Sequence, residues 1–583
     1  MKRVTRRDFI KSTLGVAAAG VTFAYGAESS PSGQSASAFS FLHTYEATGR
    51  YWRCLEKAGL IRSTTGVRLV QSPFGKDDNR RFNAVARRDG ELYGILKNKP
   101  SYFIVDRLCG GSPYYPYDFD QSLVAEYELM LGVKLLGGQV HEVLSNVHND
   151  WGRIAKANPK FATEPVDAES IRAYFDWSEA NKWIEYGDIA EYHGRTYPKT
   201  EAQWWDDYRR AAITQGKRFN GRFSYCEGTH YGELVWHRFY EYGAASCIVE
   251  VGPWASSESQ FAIASARGSA KAAGKPWGIF YAPWGPGGCT SFIEMKDWSW
   301  QAPNDAMEAS GFPIGPDKGP STALQRRIFF HSYLSGANTM HEEWGAEGNF
   351  TNWDDATLSS YGLVTRDLLD FQDAHPDVGR PFTPISLILD ANWDGKQSAA
   401  WKDLKGRLYV PSEAENPVAE RGAKNAKEEA RCYTPCAFPE LFDIVPSTAL
   451  ASTLASYRVT IPVGGSASLE QTWDALVKAV DEFTPFVRTS HLPMQVNFRE
   501  SDKTWIVGIY NPWGAQRGDV YGVGSELDES SSISDTLEAR FPIESARVLH
   551  GWPSSSGMSR EGQKLGVTVG PGGTLILEVR QRA

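Results

Sequence analysis

The chain has 583 residues, enough for three domains at about 100–200 residues each. Lys and Arg number 61 against 70 Asp and Glu, a net charge of -9; with no basic stripe, a nucleic-acid partner is not expected. Hydrophobic residues make up 42% and charged residues 22%, which excludes a largely disordered chain, while aromatic residues reach 13%.

The N-terminus reads Thr5-Arg6-Arg7-Asp8-Phe9-Ile10-Lys11, followed by a mildly apolar stretch over 13–24 and the small residues Ala24 and Gly26 before Ala27. This resembles a twin-arginine export signal. The resemblance implies a periplasmic or secreted protein exported already folded, with residues 1–27 removed. Residues 28–40, rich in Ser, Gly and Ala, read as a linker. No later run has the ~18 uncharged apolar residues that a spanning helix needs, so no membrane span is expected after cleavage.

From about residue 100 to 345, strand-like runs alternate with helical patterns. Strands are expected at 101–106, 134–143, 222–227, 246–250, 277–281 and 338–344, with a weaker candidate at 183–186. Helices are expected at 121–131, 202–216, 233–242, 260–273 and 324–334. Such alternation argues for a parallel sheet, and seven or eight units fit a (β/α)8 barrel. No G-x-G-x-x-G follows any of the strands, which argues against a dinucleotide fold. Three prolines at 376–384 mark a break. Strand-like runs at 385–390, 442–445 and 457–461 then suggest a small α/β sheet, with 392–435 as a polar excursion. Short alternating strands from about 494 to 579 suggest a β-sandwich. The expected architecture is α/β: a barrel over 41–380, an α/β domain over 381–490 and a sandwich over 491–583.

Several expected barrel strands end in carboxylates: Asp106, Glu142, Glu227, Glu250 and the pair Glu342 and Glu343. In a barrel the site lies at the carboxyl ends of the strands. Cleaving a glycosidic bond takes two carboxyl groups flanking one oxygen. The catalytic candidates are therefore Glu227, Glu343, Glu342 and Glu250. Period two places Asn338, Met340 and Glu342 on one face and Thr339, His341 and Glu343 on the other, so one of the last two glutamates should face the barrel axis. Asp106, Arg107, Gln139, His141, Glu142, Asn146 and His341 are candidates for holding sugar hydroxyls. Trp254, Trp284 and Trp344 follow strands and would form sugar platforms. His141 and His341 each precede a Glu, but there is no H-E-x-x-H, and the seven cysteines form no zinc pattern. No metal or cofactor is expected. There is no G-x-S-x-G elbow and no P-loop, which lowers esterase and phosphotransferase readings.

Residues 331–344, followed by 362–369 and 386–390, look like the last barrel units of glycoside hydrolases. The order of domains resembles the family-42 β-galactosidases: barrel, amidotransferase-like α/β domain, small C-terminal β domain. The resemblance implies a glycoside hydrolase; a retaining two-carboxylate mechanism is expected, with an inverting route in its place if the carboxyl groups stand ~6.5–9.5 Å apart. With 183–186 counted as a strand, Glu227 ends the fourth strand and Glu342–Glu343 the seventh, where clan A retaining glycosidases carry acid/base and nucleophile; a further strand before 101 would shift that count and favour Glu250. The strand 275–281 carries no Glu where family 42 places its nucleophile, and Cys226-Glu227 stands where it has Asn-Glu. The expectation is a glycosidase with a carbohydrate substrate; the alternative is a non-catalytic carbohydrate-binding protein on a degenerate barrel. A homo-oligomer is left open.

Overall fold

A computed structural model describes residues 39–582, apart from 71–80, 107–118, 170–191, 229–232, 253–258, 286–287, 293–313, 392–397, 409–437 and 518–523 and the single residues 168, 317, 344 and 491. The export signal, the strand candidate at 183–186 and the cysteines at 109, 432 and 436 lie outside the described residues.

Eight parallel strands close into a barrel: β1 (Ser40–Tyr45), β2 (Gly66–Val70), β3 (Phe103–Asp106), β4 (Leu135–His141), β5 (Phe223–Glu227), β6 (Ser246–Val251), β7 (Trp277–Tyr281) and β8 (Thr339–Glu342). Each strand pairs with its sequence neighbour, and β1 pairs with β8 to complete the ring. Two strands, β1 and β2, precede residue 100, where no unit was expected. β1 begins at Ser40, inside the expected linker, and its polar neighbours mask it. β2 hides its character behind Arg68, a charge in the middle of an apolar strand.

Helices start where short polar side chains accept the first free N–H groups. Asp120 caps the helix Gln121–Leu131, and Ser321 caps Thr322–Leu334. Thr200 and Gln203 form a reciprocal capping box on Glu201–Arg218. The alternation of the strands divides the core in two. One set of side chains fills the barrel: Leu42, Ile104, Leu136, Cys226, Ile248 and Phe280. The other set, including Tyr225, Cys247, Val249 and Met340, packs under the helices.

Beyond the barrel, strand Ile385–Leu389 lies between Phe442–Pro446 and Val459–Pro462, all parallel. The helices Ala399–Leu408 and Leu469–Phe483 contribute Trp401, Leu404, Trp473 and Leu476 to its core. The barrel helix Ser259–Ala273 also packs on it. A Cβ at Gly268 would come within 2.1 Å of the Ile444 carbonyl oxygen, so only glycine allows that approach. Arg267 and Lys271 of the same helix pair with the buried Asp443. The C-terminal part is two antiparallel sheets packed face to face over Val496, Val507, Leu537, Leu565 and Leu577. Its five-stranded sheet takes its first strand, Arg380–Pro381, from before the α/β sheet. Among the described residues no helix is long and apolar enough to cross a membrane.

Candidate active site

With β1 and β2 counted, every later strand moves up from the expected numbering. Glu227 ends the fifth strand, not the fourth. Glu142 follows the fourth, Glu250 lies on the sixth, and Glu342 ends the eighth, not the seventh. The seventh strand, β7, ends at Tyr281 with no carboxylate.

Parity then sorts these carboxylates. In β5, Cys226 faces the barrel axis, so Tyr225 and Glu227 face the helices. Tyr225 stacks on Phe239 of the helix Val235–Glu241 at 3.3 Å between ring centres. The Glu227 carboxyl accepts hydrogen bonds from the Tyr225 hydroxyl at 2.9 Å, the Gly228 amide at 3.1 Å and the Leu144 amide at 3.4 Å. Burial, then the nearby Glu142 charge, push it well above the usual carboxylate range. Glu227 thus supplies an acceptor to the start of the helix Val143–Ala157 and sits behind the barrel wall, not inside it.

Glu342 also points outward. Its oxygens accept from Gln325 at 2.9 Å and Asn349 at 2.8 Å, and burial pushes its pKa up to about 7. Glu343, one residue on, shares the parity of His341, which faces the axis. Its amide donates to the Tyr281 carbonyl at 2.9 Å.

On the axial side, Asp106 forms an ion pair with Arg68, and both side chains are 1% exposed. The same guanidinium donates to the backbone carbonyls of Glu342 and Glu343. Asp106 is therefore a brace that ties β2 and β3 to the end of β8. Arg107 lies outside the described residues.

Beside this brace runs a polar chain. The His341 Nε2 is 2.9 Å from the Gln139 Oε1, and the Gln139 Nε2 is 3.0 Å from the His141 Nδ1. An amide nitrogen only donates, so His141 presents a bare Nδ1 to it and carries its proton on Nε2. Phe280 packs edge-on against both imidazoles. Burial lowers the His341 pKa well below the usual value, so this ring is neutral.

The His141 Nε2 meets two carboxylates: the Glu250 Oε2 at 3.6 Å and the Glu142 Oε1 at 3.9 Å. Those two oxygens are therefore no more than 7.5 Å apart. The Glu250 side chain is 3% exposed and that of Glu142 is 33% exposed. Glu142 has a left-handed backbone, φ 47°. A non-glycine residue adopts this only when its surroundings hold it there. Here the helix Val143–Ala157 begins directly after it, with its Leu144 amide held by Glu227. Asn146, expected to hold sugar hydroxyls, instead donates to the His141 carbonyl at 2.9 Å and is buried. Cys226 lies beneath the pair. Burial and the surrounding Glu250, Asp106, Glu227 and Glu142 charges keep its thiol well above the ordinary pKa, so it is no thiolate nucleophile.

The structure thus brings together Gln139, His141, Glu142, Glu250 and His341, with Asp106 beside them. It separates Glu227 and Glu342 from that group. Trp254 and Trp344 lie outside the described residues, and Trp284 opens a two-residue strand, Trp284–Gly285. Arg68 was not foreseen as a site residue. Its signal was a lone charge inside an apolar strand, which burial obliges to find a partner.

No protein-family model matches the chain, and no curated protein matches it. Among solved structures it is similar to an α-L-fucosidase isoenzyme 2 from Paenibacillus thiaminolyticus, at 10% identity and a TM-score of 0.38, over 94% of this chain and 100% of that one. It is also similar to a β-galactosidase from the haloarchaeon Halorubrum lacusprofundi, at 10% identity and a TM-score of 0.39, over 94% and 99%. Likenesses this faint carry no weight for the chemistry.

Proposed function

We propose that the protein is a glycoside hydrolase in which Glu142 and Glu250 are the two catalytic carboxyl groups. The observation that carries this is their convergence on one imidazole nitrogen at the carboxyl ends of the barrel strands. Glycosidic cleavage needs this: one carboxylic acid to protonate the leaving oxygen and one carboxylate to attack, or to activate water. Glu142 is the acid in this reading. It follows β4 and reaches solvent, so it can exchange its proton. Glu250 is the nucleophile. It is buried and faces the Nε2–H of His141, whose tautomer Gln139 and His341 set. That hydrogen favours the ionised form of Glu250. The 7.5 Å ceiling on the nearest oxygens admits the ~5–5.5 Å carboxyl spacing of retaining enzymes and only the lower part of the ~6.5–9.5 Å inverting range. We read the enzyme as retaining.

The test is reducing-sugar release from a broad panel of oligo- and polysaccharides, with Glu142→Gln and Glu250→Gln beside the wild type. Wild-type release that collapses in both variants supports the assignment. The anomer first formed, read by NMR, decides between retention and inversion. Silence of the wild type across the panel, together with retained sugar binding, favours a non-catalytic binding protein, a reading that the bare end of β7 supports. The N-terminal motif supports export to the periplasm or beyond. Replacing Arg6 and Arg7 together by Lys should leave the protein in the cytoplasm.

A further inference from the structure

Overlapping the carboxyl pair lies a second arrangement, which adds a residue that hydrolysis does not use, Cys226. A ring nitrogen of His141, the sulfur of Cys226 and a carboxylate oxygen of Glu250 all lie within 4.8 Å of one another, and all three residues are buried. They come from three adjacent strands, β4, β5 and β6, and project to the barrel axis. We propose that these three side chains form a binding site for a soft divalent cation of the zinc class, and that its occupation switches off hydrolysis by taking Glu250 as a ligand. The inhibitory half of this rests on the hydrolase reading above; the binding half does not.

The donor set argues for the class of ion. Sulfur and imidazole favour zinc or cobalt, whereas calcium and magnesium take oxygen ligands. Zinc bonds of about 2.0–2.3 Å place neighbouring tetrahedral donors roughly 3.3–3.7 Å apart. The His141 Nε2 and Glu250 Oε2 already stand at 3.6 Å. Closing the widest gap takes about 1 Å of side-chain movement. The Glu142 Oε1, 3.9 Å from the same nitrogen, is placed to be the fourth ligand or to hold a water there, and its partial exposure gives the ion a way in. Gln139 stands at the other ring nitrogen. With its amide turned, its oxygen accepts the Nδ1–H that a metal-bound imidazole carries. On binding, the Cys226 thiol gives its proton to solvent and the sulfur takes the cation.

The experiment is a Co2+ titration of the chelator-treated full-length protein, followed by absorbance, with Zn2+ as competitor. The expected result is one equivalent of cobalt with a sulfur-to-cobalt charge-transfer band that zinc abolishes. The band should be missing in Cys226→Ser, Cys226→Ala and His141→Gln, with circular dichroism reporting that each variant is folded. Zinc affinity should fall more than about 100-fold in each, since even partners of a ligand are worth 10–100-fold. Turnover of the metal-free wild type should fall in step with zinc occupancy. A band that survives in the folded Cys226 variants would place the metal on other cysteines and overturn the site. The absence of any band in the wild type would do the same. Zinc that activates the metal-free enzyme would overturn the inhibitory role. Normal binding by a protein with no turnover in any form would remove the hydrolase reading and leave the metal site standing.

Discussion

Glu227 and Glu250 sit one strand apart on the same barrel wall, both buried and both near the carboxyl end of a strand. Yet they live in different regions of the molecule. Glu227 faces the helix layer, where a tyrosine hydroxyl and two backbone amides satisfy it. Glu250 faces the axis, beside His141 and within reach of Glu142. The difference is one step of the pleat. In a barrel, position along a strand says how near a side chain is to the mouth, and parity says whether it is inside. A strand-end carboxylate is a catalytic candidate only when both conditions hold.

The sharpest way to break this comparison is to remove the inward carboxylates. Glu250→Gln should lower kcat/KM by roughly two to four orders of magnitude with stability little changed, the size expected for a carboxyl group acting in the transition state. Glu142→Gln should lower it as strongly on poor leaving groups and far less on activated aryl glycosides, which need no protonation. Steady-state kinetics on one natural-type and one aryl substrate check both. Equal losses on the two substrates would remove Glu142 from the acid role.

The next effect separates chemistry from support on the same inner face. Arg68→Met strands Asp106 as a buried charge and frees the carbonyls at the end of β8. Removing one partner of a buried pair costs about 3–5 kcal/mol. Urea unfolding should show that loss, and the Arg68→Met, Asp106→Leu double variant should recover most of it. A single variant as stable as wild type would mean that Asp106 is not held as a charge, and so is free to act on substrate.

On the outer face the expected effect is on pH dependence. Glu342 has a folded pKa of about 7 against an ordinary 4.5, raised by burial. A carboxyl raised on folding binds its proton more tightly in the native state. Its contribution is fully present below about pH 4.5 and is lost as the pH rises through about 7. Two to three pH units correspond to about 3 kcal/mol. Unfolding free energy measured at intervals from pH 4 to 8 should therefore fall less steeply in Glu342→Gln than in wild type. Parallel curves would show that the Gln325 and Asn349 bonds compensate the burial fully.

Six of the eight barrel strands were legible in the sequence, and the misses have physical causes. Strands 103–106, 223–227 and 277–281 announced themselves as apolar runs closed by turn signals. β1 did not, because Ser40, His43 and Thr44 break its apolar run. β2 did not, because Arg68 interrupts it. Those two omissions moved the strand count, and the count chose Glu227 over Glu142. Parity within 338–342 was readable, and it set Glu342 on the face opposite His341. It could not say which of them faced inward, because that depends on where the strand sits in the closed ring. The convergence of His141 with Glu250 was not readable at all. Their 109-residue separation collapses only once β5 lies between β4 and β6, one strand spacing from each.

The smallest expected effect is the most pointed. Burial pushes the Glu227 pKa well above the usual carboxylate range, which favours a neutral side chain at this position. Glutamine presents one amide nitrogen and one carbonyl oxygen in nearly the same shape. In Glu227→Gln the carbonyl oxygen can still accept from Gly228 or Leu144, and the amide can donate to Tyr225 once that hydroxyl turns. The expected change is about 1 kcal/mol in stability, the worth of one rearranged hydrogen bond, and less than tenfold in kcat/KM. Glu227→Ala should be worse than Glu227→Gln. It leaves buried donors without acceptors at about 1–3 kcal/mol each and loosens the helix start that holds Glu142 in its left-handed backbone. A Glu227→Gln variant as dead as Glu250→Gln, yet equally stable, would mean that the carboxyl behind the wall takes part in proton transfer after all. The inside–outside distinction would then fail at the one position where sequence and structure disagree most.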